Sequence, residues 1–168
     1  LIEHYVSGDS VPFATRPINH RRILFPFPDY NPQKNNEKVE IYLRTYTEEV
    51  TDVPLFLWNV EDFNTYDKME TLWHGFFFGA IAILFIYHLL LLVKLRRNDI
   101  FAYVLLLPVC FITRAIRWGY GIQYLWPEDP SLSNQVLPVL FSVIMTLFLI
   151  FFSYFVSINR RHYYFLYF

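Results

Sequence analysis

The sequence predicts a mixed membrane protein, in which a β-rich segment outside the membrane precedes an α-helical transmembrane bundle. The composition is 55% hydrophobic and 21% aromatic but only 17% charged, which is too apolar for an ordinary soluble domain. Residues 1–71 carry 7 Lys or Arg and 12 Asp or Glu, whereas residues 72–168 carry 7 and 3. Three long apolar runs all lie in the second part. The chain therefore joins an acidic part to a membrane part.

The first part, residues 1–60, is expected to be part of an all-β sandwich. The stretch "VEIYLRTYTE" alternates between two faces, as a half-exposed antiparallel strand does. "RRILFPF" and "PLFLWNV" predict two more strands. Because so few strands cannot close a sandwich, we expect the sequence to begin inside that domain. Residues 61–71 predict a helical linker, capped by Asn64 or Asp67 and continuous with the first membrane span.

The second part, residues 72–168, predicts helices at about 72–93, 100–121 and 136–158. Each run has about the 20 mainly apolar residues that a transmembrane helix needs. Lys and Arg follow the first and third runs but are absent from the loop between the second and third. The positive-inside rule then predicts an extracytoplasmic N-terminal domain and a cytoplasmic C-terminus of this segment. The alternative is a set of buried helices in a large soluble protein.

Several classes of function lack their signatures. The sequence lacks a basic stripe with interleaved aromatic residues, the pattern that is typical of nucleic-acid binding. The one cysteine, Cys110, allows no intrachain disulfide and no Cys-based metal site. His74 and His88 are about 21 Å apart along one helix, too far to share a metal, and are expected to be interfacial or packing residues. We expect no metal, no cofactor and no enzymatic activity in this segment.

One face of the strand predicted from "VEIYLRTYTE" is a candidate ligand site. An exposed aromatic surface stacks on sugar rings and a guanidinium binds carboxylates, so a carbohydrate or a small organic acid is expected there. The residues are Tyr42, Arg44 and Tyr46, with Trp58 from a neighbouring strand. The alternative is that the intact sandwich covers both faces of this strand.

Two arginines one helical turn apart, Arg114 and Arg117, lie in the second span. Arg117 is shallow enough to reach the headgroups, and Arg114 lies about a turn deeper. Either snorkelling explains them, or they form a coupling contact or part of an intramembrane anion site. Candidate partners are a residue of a further helix or one of four nearby acids, Asp67, Glu70, Glu128 and Asp129.

Gly75 and Gly79 form a G-x-x-x-G pattern in the first span. Such patterns let a second helix backbone approach closely. The pattern predicts either a homodimer contact or packing against another helix of the same bundle.

Three stretches of the sequence are "YLRTYTEEVTDVPLFLWNVEDF", "GFFFGAIAILFIYHLLLLVKLRRNDIFAYVLL" and "GYGIQYLWPEDP". Together they resemble one family, the bacterial seven-transmembrane receptors with diverse intracellular signalling modules. The resemblance implies a jelly-roll domain similar to carbohydrate-binding modules, followed by the first three of seven helices in a bacterial inner (plasma) membrane. It also implies a cytoplasmic output module outside this segment, such as a diguanylate cyclase or a histidine kinase.

The function expected from this resemblance is signal transduction: an extracytoplasmic ligand is sensed and the signal crosses the lipid bilayer to the output module. The alternative is a transporter or channel component with an extracytoplasmic accessory domain, in which the two arginines would line a substrate path.

Overall fold

Three long helices dominate the computed structural model, which describes residues 5–9, 11–27, 40–46 and 54–165. All three are long and apolar enough to cross a membrane, which confirms the predicted helical membrane region. A short 3₁₀ turn and a π-helical segment complete the regular structure of the described residues. The helices are α1 (Val60–Leu95), α2 (Asn98–Arg117) and α3 (Leu132–Phe165), and the shorter elements are Phe13–Thr15 and Gly121–Leu125.

The predicted β-sandwich is not confirmed. Residues 5–9, 11–27, 40–46 and 54–59 contain no strand, and residues 1–4, 10, 28–39 and 47–53 of the predicted sandwich lie outside the described residues. In the alternating segment both faces are exposed, with Ile41 at 62% and Tyr42 at 88%. Alternation produces a strand only where a neighbouring strand takes the backbone hydrogen bonds and a core covers one face. Within the described residues this segment has neither.

The first helix begins immediately after Asn59, earlier than predicted. The Asn59 side-chain oxygen accepts a hydrogen bond from the Glu61 backbone N–H at 3.3 Å, which is the geometry of an N-cap. Asn59 therefore caps the helix, and the predicted caps Asn64 and Asp67 lie inside it. The predicted linker, residues 61–71, is part of the same helix as the first apolar run.

The connection between α1 and α2 is a two-residue turn. Arg96 has a φ of 48°, a left-handed conformation that favours glycine, and its N–H bonds to the Leu92 carbonyl at 2.8 Å. Arg97 donates two hydrogen bonds to the Asp99 carboxylate at 3.0 and 2.8 Å. The charge of Asp99 and these bonds raise the pKa of Arg97, with the bonds as the larger cause. The fork of two bonds fixes the turn at the start of α2.

Residue contacts divide the chain into two compact units. One combines the residues up to Phe25 with His74 and everything after it, and the other is Pro26–Trp73. In the second unit the Trp58 ring lies 5.1 Å from the Tyr66 ring and 6.3 Å from the Phe63 ring, so it packs on the first turns of α1.

In the first unit, α2 is the central helix. It packs against α3 and against the π-helical segment. Aromatic rings connect it to α1, with the Phe78 and Phe111 centroids 4.5 Å apart. Five α2 residues are buried: Ala102, Val104, Leu107, Thr113 and Ile116. The placement of α2 therefore depends on contacts along two of its sides.

Candidate coupling site at the ends of the membrane helices

The N-terminal segment, defined as the described residues between Tyr5 and Phe25, packs on the ends of the helices. The Asn134 side-chain amide, in the first turn of α3, donates a hydrogen bond to the Asp9 carboxylate. The Phe13 backbone N–H donates to the Pro127 carbonyl at 2.8 Å, and the Phe13 side chain is buried. These contacts attach the segment to the start of α3 and to the connection between α2 and α3. A third contact attaches it to the end of α2.

The third contact is made within a group of five residues, which we name the junction cluster: Arg21, His74, Trp118, Gly119 and Tyr120. Arg21 Nη1 donates to the Tyr120 hydroxyl at 3.2 Å, and its Cζ lies 5.6 Å from the centroid of the same ring. His74 Nδ1 lies 3.1 Å from that hydroxyl oxygen, with the direction of the bond set by the tautomer. The Tyr120 hydroxyl therefore connects the N-terminal segment to α1.

His74 is buried, with 6% of its surface exposed. Its ring stacks on the Trp118 ring at 3.8 Å and an interplanar angle of 14°. Phe77 and Phe78 present their rings edge-on to Trp118 at 5.2 and 5.3 Å. A buried polar ring costs free energy unless it is hydrogen-bonded, and the Tyr120 hydroxyl supplies such a bond. His74 is therefore a packing residue with a specific polar partner.

Gly119 brings the two backbones together. Its φ is +87°, which side-chain-bearing residues rarely adopt. A Cβ added there would lie 2.8 Å from the Arg21 carbonyl oxygen and 3.1 Å from the Arg21 Cβ. The same residue ends α2, since its N–H turns back to the Ile116 carbonyl at 3.0 Å. Only glycine satisfies both the backbone angle and the close approach.

Arg16 holds the part of the N-terminal segment that presents Arg21. Its Nη1 donates to the His20 carbonyl at 3.0 Å and to the Arg21 carbonyl at 3.2 Å. Its guanidinium lies over the Phe13 ring, 4.9 Å from the centroid. Partial burial lowers the pKa of Arg16 from its ordinary value, and the group remains a cation at neutral pH. Arg16 therefore links the Phe13 contact to the Arg21 contact.

The connection between α2 and α3 is tied to both helices. A Cβ added to Gly121 would lie 3.1 Å from Ile116 Cγ1 and 3.3 Å from Trp126 Cζ2, so these groups pack directly on the glycine. Trp126 Nε1 donates to the Ser133 hydroxyl at 2.8 Å, and Ser133 is buried. Because the Phe13 contact is on the next residue, Pro127, a displacement of the N-terminal segment would act on both helices.

The intramembrane candidates Arg114 and Arg117 are exposed side chains in the last turn of α2. Among the described residues neither guanidinium has a hydrogen-bond or ion-pair partner. Glu70 is half-buried on α1. Gly75 and Gly79 are exposed, and a Cβ added to either would meet no described atom within 4 Å. The roles predicted for these residues stay predictions.

The candidate ligand residues lie in the second unit. Tyr42 and Tyr46 are 88% and 90% exposed, and Arg44 is exposed between them. Tyr42 donates its hydroxyl proton to Glu40 at 2.7 Å. Trp58 instead packs against α1, as described above. Within the described part of the chain no contact brings Trp58 to the other three residues, so a common site of the four stays a prediction.

The junction cluster was not predicted as a group from the sequence. Arg21 and Tyr120 are separated by 99 residues, and no local pattern pairs them. The available signal was Gly119, a glycine directly after an apolar helix and a typical C-terminal stop. The described residues contain no group of three or more His, Cys, Asp or Glu that could hold a metal ion.

These features define a multi-pass membrane protein whose N-terminal segment is built into the ends of its helices. A family model described as 7TM diverse intracellular signalling matches residues 70–168, and a second, 7TMR-DISM extracellular 2, matches residues 1–59. The chain belongs to the 7TMR-DISM family of transmembrane signalling receptors, which confirms the resemblance seen in its sequence. Searches of curated proteins and of solved structures find no match.

The two matched ranges meet at the junction cluster. Arg21 lies in the range of the extracellular model, and His74, Trp118, Gly119 and Tyr120 lie in the range of the 7TM model. The cluster is therefore a contact between the two domains of the family.

Proposed function

We propose that the junction cluster transmits a signal from the N-terminal domain to the membrane helices. The observation that carries this proposal is the contact of the Arg21 backbone and guanidinium with Gly119 and Tyr120 at the end of α2. A receptor must transmit ligand binding through groups that touch both domains, and these groups do. The Tyr120 hydroxyl adds α1 to the contact through His74.

The orientation that we propose has the N-terminal domain outside a bacterial inner membrane. Lys94, Arg96 and Arg97 lie at the end of the helices opposite to the junction cluster, a distribution that favours the cytoplasm. The connection between α2 and α3, at the cluster end, contains two acids and no Lys or Arg. A cytoplasmic output module, such as a diguanylate cyclase or a histidine kinase, would then receive the signal at the Lys94 end.

The ligand that we propose is a carbohydrate or a small organic acid. The exposed rings of Tyr42 and Tyr46 offer stacking surfaces, and Arg44 between them offers donors for a carboxylate. Ligand binding would change the relative populations of two arrangements of the N-terminal segment on the helix ends. The size of the response is limited by the difference in ligand affinity between the two arrangements.

The test uses the full-length receptor in membrane vesicles with Tyr120→Phe. This change keeps the ring and its packing but removes the oxygen that connects Arg21 and His74. We expect an altered basal output, measured as cyclic di-GMP synthesis or autophosphorylation, and a reduced response to any active compound of a panel of monosaccharides, glucuronate and succinate. Tyr124→Phe is the matched control, since Tyr124 is 71% exposed. Equal output and response in Tyr120→Phe and the wild type would refute the proposal.

A second experiment fixes the N-terminal segment in place. Asp9 and Asn134 are replaced by cysteine in a Cys110→Ala background, and a short bifunctional thiol reagent joins them across their contact. If movement of the segment transmits the signal, the joined receptor gives one constant output whatever compound of the panel is added. The two single-cysteine receptors, treated with the same reagent, lose this hydrogen bond but should still change their output when an active compound is added. A joined receptor that responds like the single variants would contradict the mechanism.

A further inference from the structure

The exposed surface of α2 has one apolar face. Phe101, Leu105 and Ile112 are 52%, 41% and 43% exposed. They are separated by four and seven residues, which places them on one side of a helix with 3.6 residues per turn. Large apolar side chains exposed on a membrane helix are suited to lipid tails. This side of α2 therefore has the chemistry of a lipid-facing surface.

A second face of α2, called the polar face here, carries polar side chains together with the buried Leu107. Cys110, Arg114 and Arg117 follow Tyr103 by seven, eleven and fourteen residues, which is close to two, three and four helical turns. The four side chains consequently form one line along the helix. Both arginines lie on this line, at the end of α2 that carries the junction cluster.

Tyr103 shows where the polar face is directed. Its ring centroid lies 4.5 Å from that of His88 on α1 and 5.5 Å from that of Phe151 on α3. A side chain that touches both neighbouring helices lies in the groove between them. By the 3.6-residue repeat, Arg114 and Arg117 are on the same face as Tyr103, opposite to the apolar face.

An arginine on this face of α2 needs a counter-charge when it lies within the hydrocarbon region. Arg117 is the last residue of α2 and is near enough to the end of the helix to reach headgroups. Arg114 is about 4.5 Å further along the axis, at 1.5 Å per residue. Arginines at such positions face a bundle interior and are paired, because an unpaired charge in the hydrocarbon is costly. The described residues supply no carboxylate for Arg114.

We propose that Arg114 forms an ion pair with a carboxylate on another helix of the seven-helix domain, and that this helix occupies the groove between α1 and α3. The family match supports further helices, since residues 70–168 match a 7TM domain and contain three spans. The proposal is independent of signal transmission through the junction cluster. Because Arg114 is a cation, the proposed partner is an Asp or Glu that lies at the same membrane depth as the last turn of α2.

The first test measures melting temperatures of the full-length receptor in nanodiscs, with and without anionic phosphatidylglycerol in phosphatidylcholine. We expect Arg114→Gln to lower the melting temperature equally in both lipids, Arg114→Lys to lower it less, and the control Arg117→Gln to lower it less than Arg114→Gln. A loss that is confined to nanodiscs with phosphatidylglycerol would assign the partner to a lipid phosphate and overturn the proposal. Added phosphate or succinate could instead raise the melting temperature of the wild type but not that of Arg114→Gln. That result would assign the partner to a free anion and overturn the proposal.

The second test locates the partner by charge reversal. Arg114→Glu is combined in turn with an Arg replacement at each Asp and Glu of the other helices, in the full-length receptor. We expect one combination to raise the monodisperse fraction after detergent extraction about fivefold or more over Arg114→Glu alone, as residues in direct contact are energetically coupled. Failure of every acidic position to restore the receptor would overturn the ion pair. This readout does not depend on signalling, so it is independent of the outcome of the Tyr120 experiments.

Discussion

The substitution Gly119→Ala tests the closest contact between the two domains. It adds one methyl group at a position with a φ of +87°, 2.8 Å from the Arg21 carbonyl oxygen. A left-handed conformation costs an alanine about 1–2 kcal/mol. Overpacking of a well-packed site costs about 1–3 kcal/mol more. The two costs add to about 2–5 kcal/mol for the docked arrangement, and the overlap part is relieved when the N-terminal segment moves away from the helix end.

Movement of the segment gives a direct assay. Trypsin cleaves after arginine unless proline follows, so Arg21 and Arg22 are the cleavage sites near the contact, and Arg16, which precedes Pro17, is not cleaved. When opening and closing are fast, the cleavage rate follows the population of the open form. A penalty of about 2 kcal/mol then corresponds to a rise of about 30-fold in cleavage of the full-length receptor in detergent. N-terminal sequencing of the products identifies the cleaved bonds.

The matched control is Gly75→Ala, the same chemical change on α1. A Cβ at Gly75 meets no described atom within 4 Å, and its backbone is helical, so neither strain nor overlap with the described residues arises. We expect unchanged cleavage there. If Gly119→Ala is cleaved within about twofold of the wild type, the close contact between Gly119 and Arg21 does not hold the segment on the helix end.

Three further predictions concern the turns and the orientation. Arg96→Gly should stabilise the receptor by about 1 kcal/mol, since glycine adopts the left-handed conformation freely, and a lower melting temperature would contradict this. Trp126→Phe should destabilise it by about 1–3 kcal/mol because the buried Ser133 hydroxyl loses its donor; adding Ser133→Ala should recover part of the loss, and no recovery would argue against this hydrogen bond. Alkaline phosphatase fused after Asp129 should be active and after Arg97 inactive, whereas the reverse pattern would refute the proposed orientation.

The membrane helices could be predicted because their signal is local. A run of about 20 apolar residues has few other stable structures in a bilayer, since only a helix satisfies its own backbone groups there. The boundaries were less accurate, because they depend on single residues. α2 ends at Arg117 instead of about residue 121 since Gly119 adopts a left-handed conformation. α1 starts earlier than expected because Asn59 caps it.

The candidate site could not be predicted because its contacts are not local. The alternation of residues 40–46 predicted a strand, but a strand requires partners that a sequence pattern does not identify. Arg21 is unremarkable in sequence, and its importance comes from a backbone that meets Gly119 nearly 100 residues later. Arg114 was a candidate because a charge in an apolar run is rare, yet the contact between the domains lies six residues further along the chain, at Tyr120.

The small size of the contacts at the helix ends suits a role in signalling. Among the described residues of the N-terminal segment, Phe13 is the one that is buried. Its attachment therefore depends mainly on hydrogen bonds, each with a net value of about 0.5–1.5 kcal/mol. If one such bond contributes about 1 kcal/mol, a ligand that favoured its loss would change the ratio of the two arrangements by about fivefold. Allosteric coupling free energies are typically about 1–3 kcal/mol, so one to three of these bonds supply the required range. A segment held by a large apolar core would need far more free energy than a ligand provides to change its arrangement.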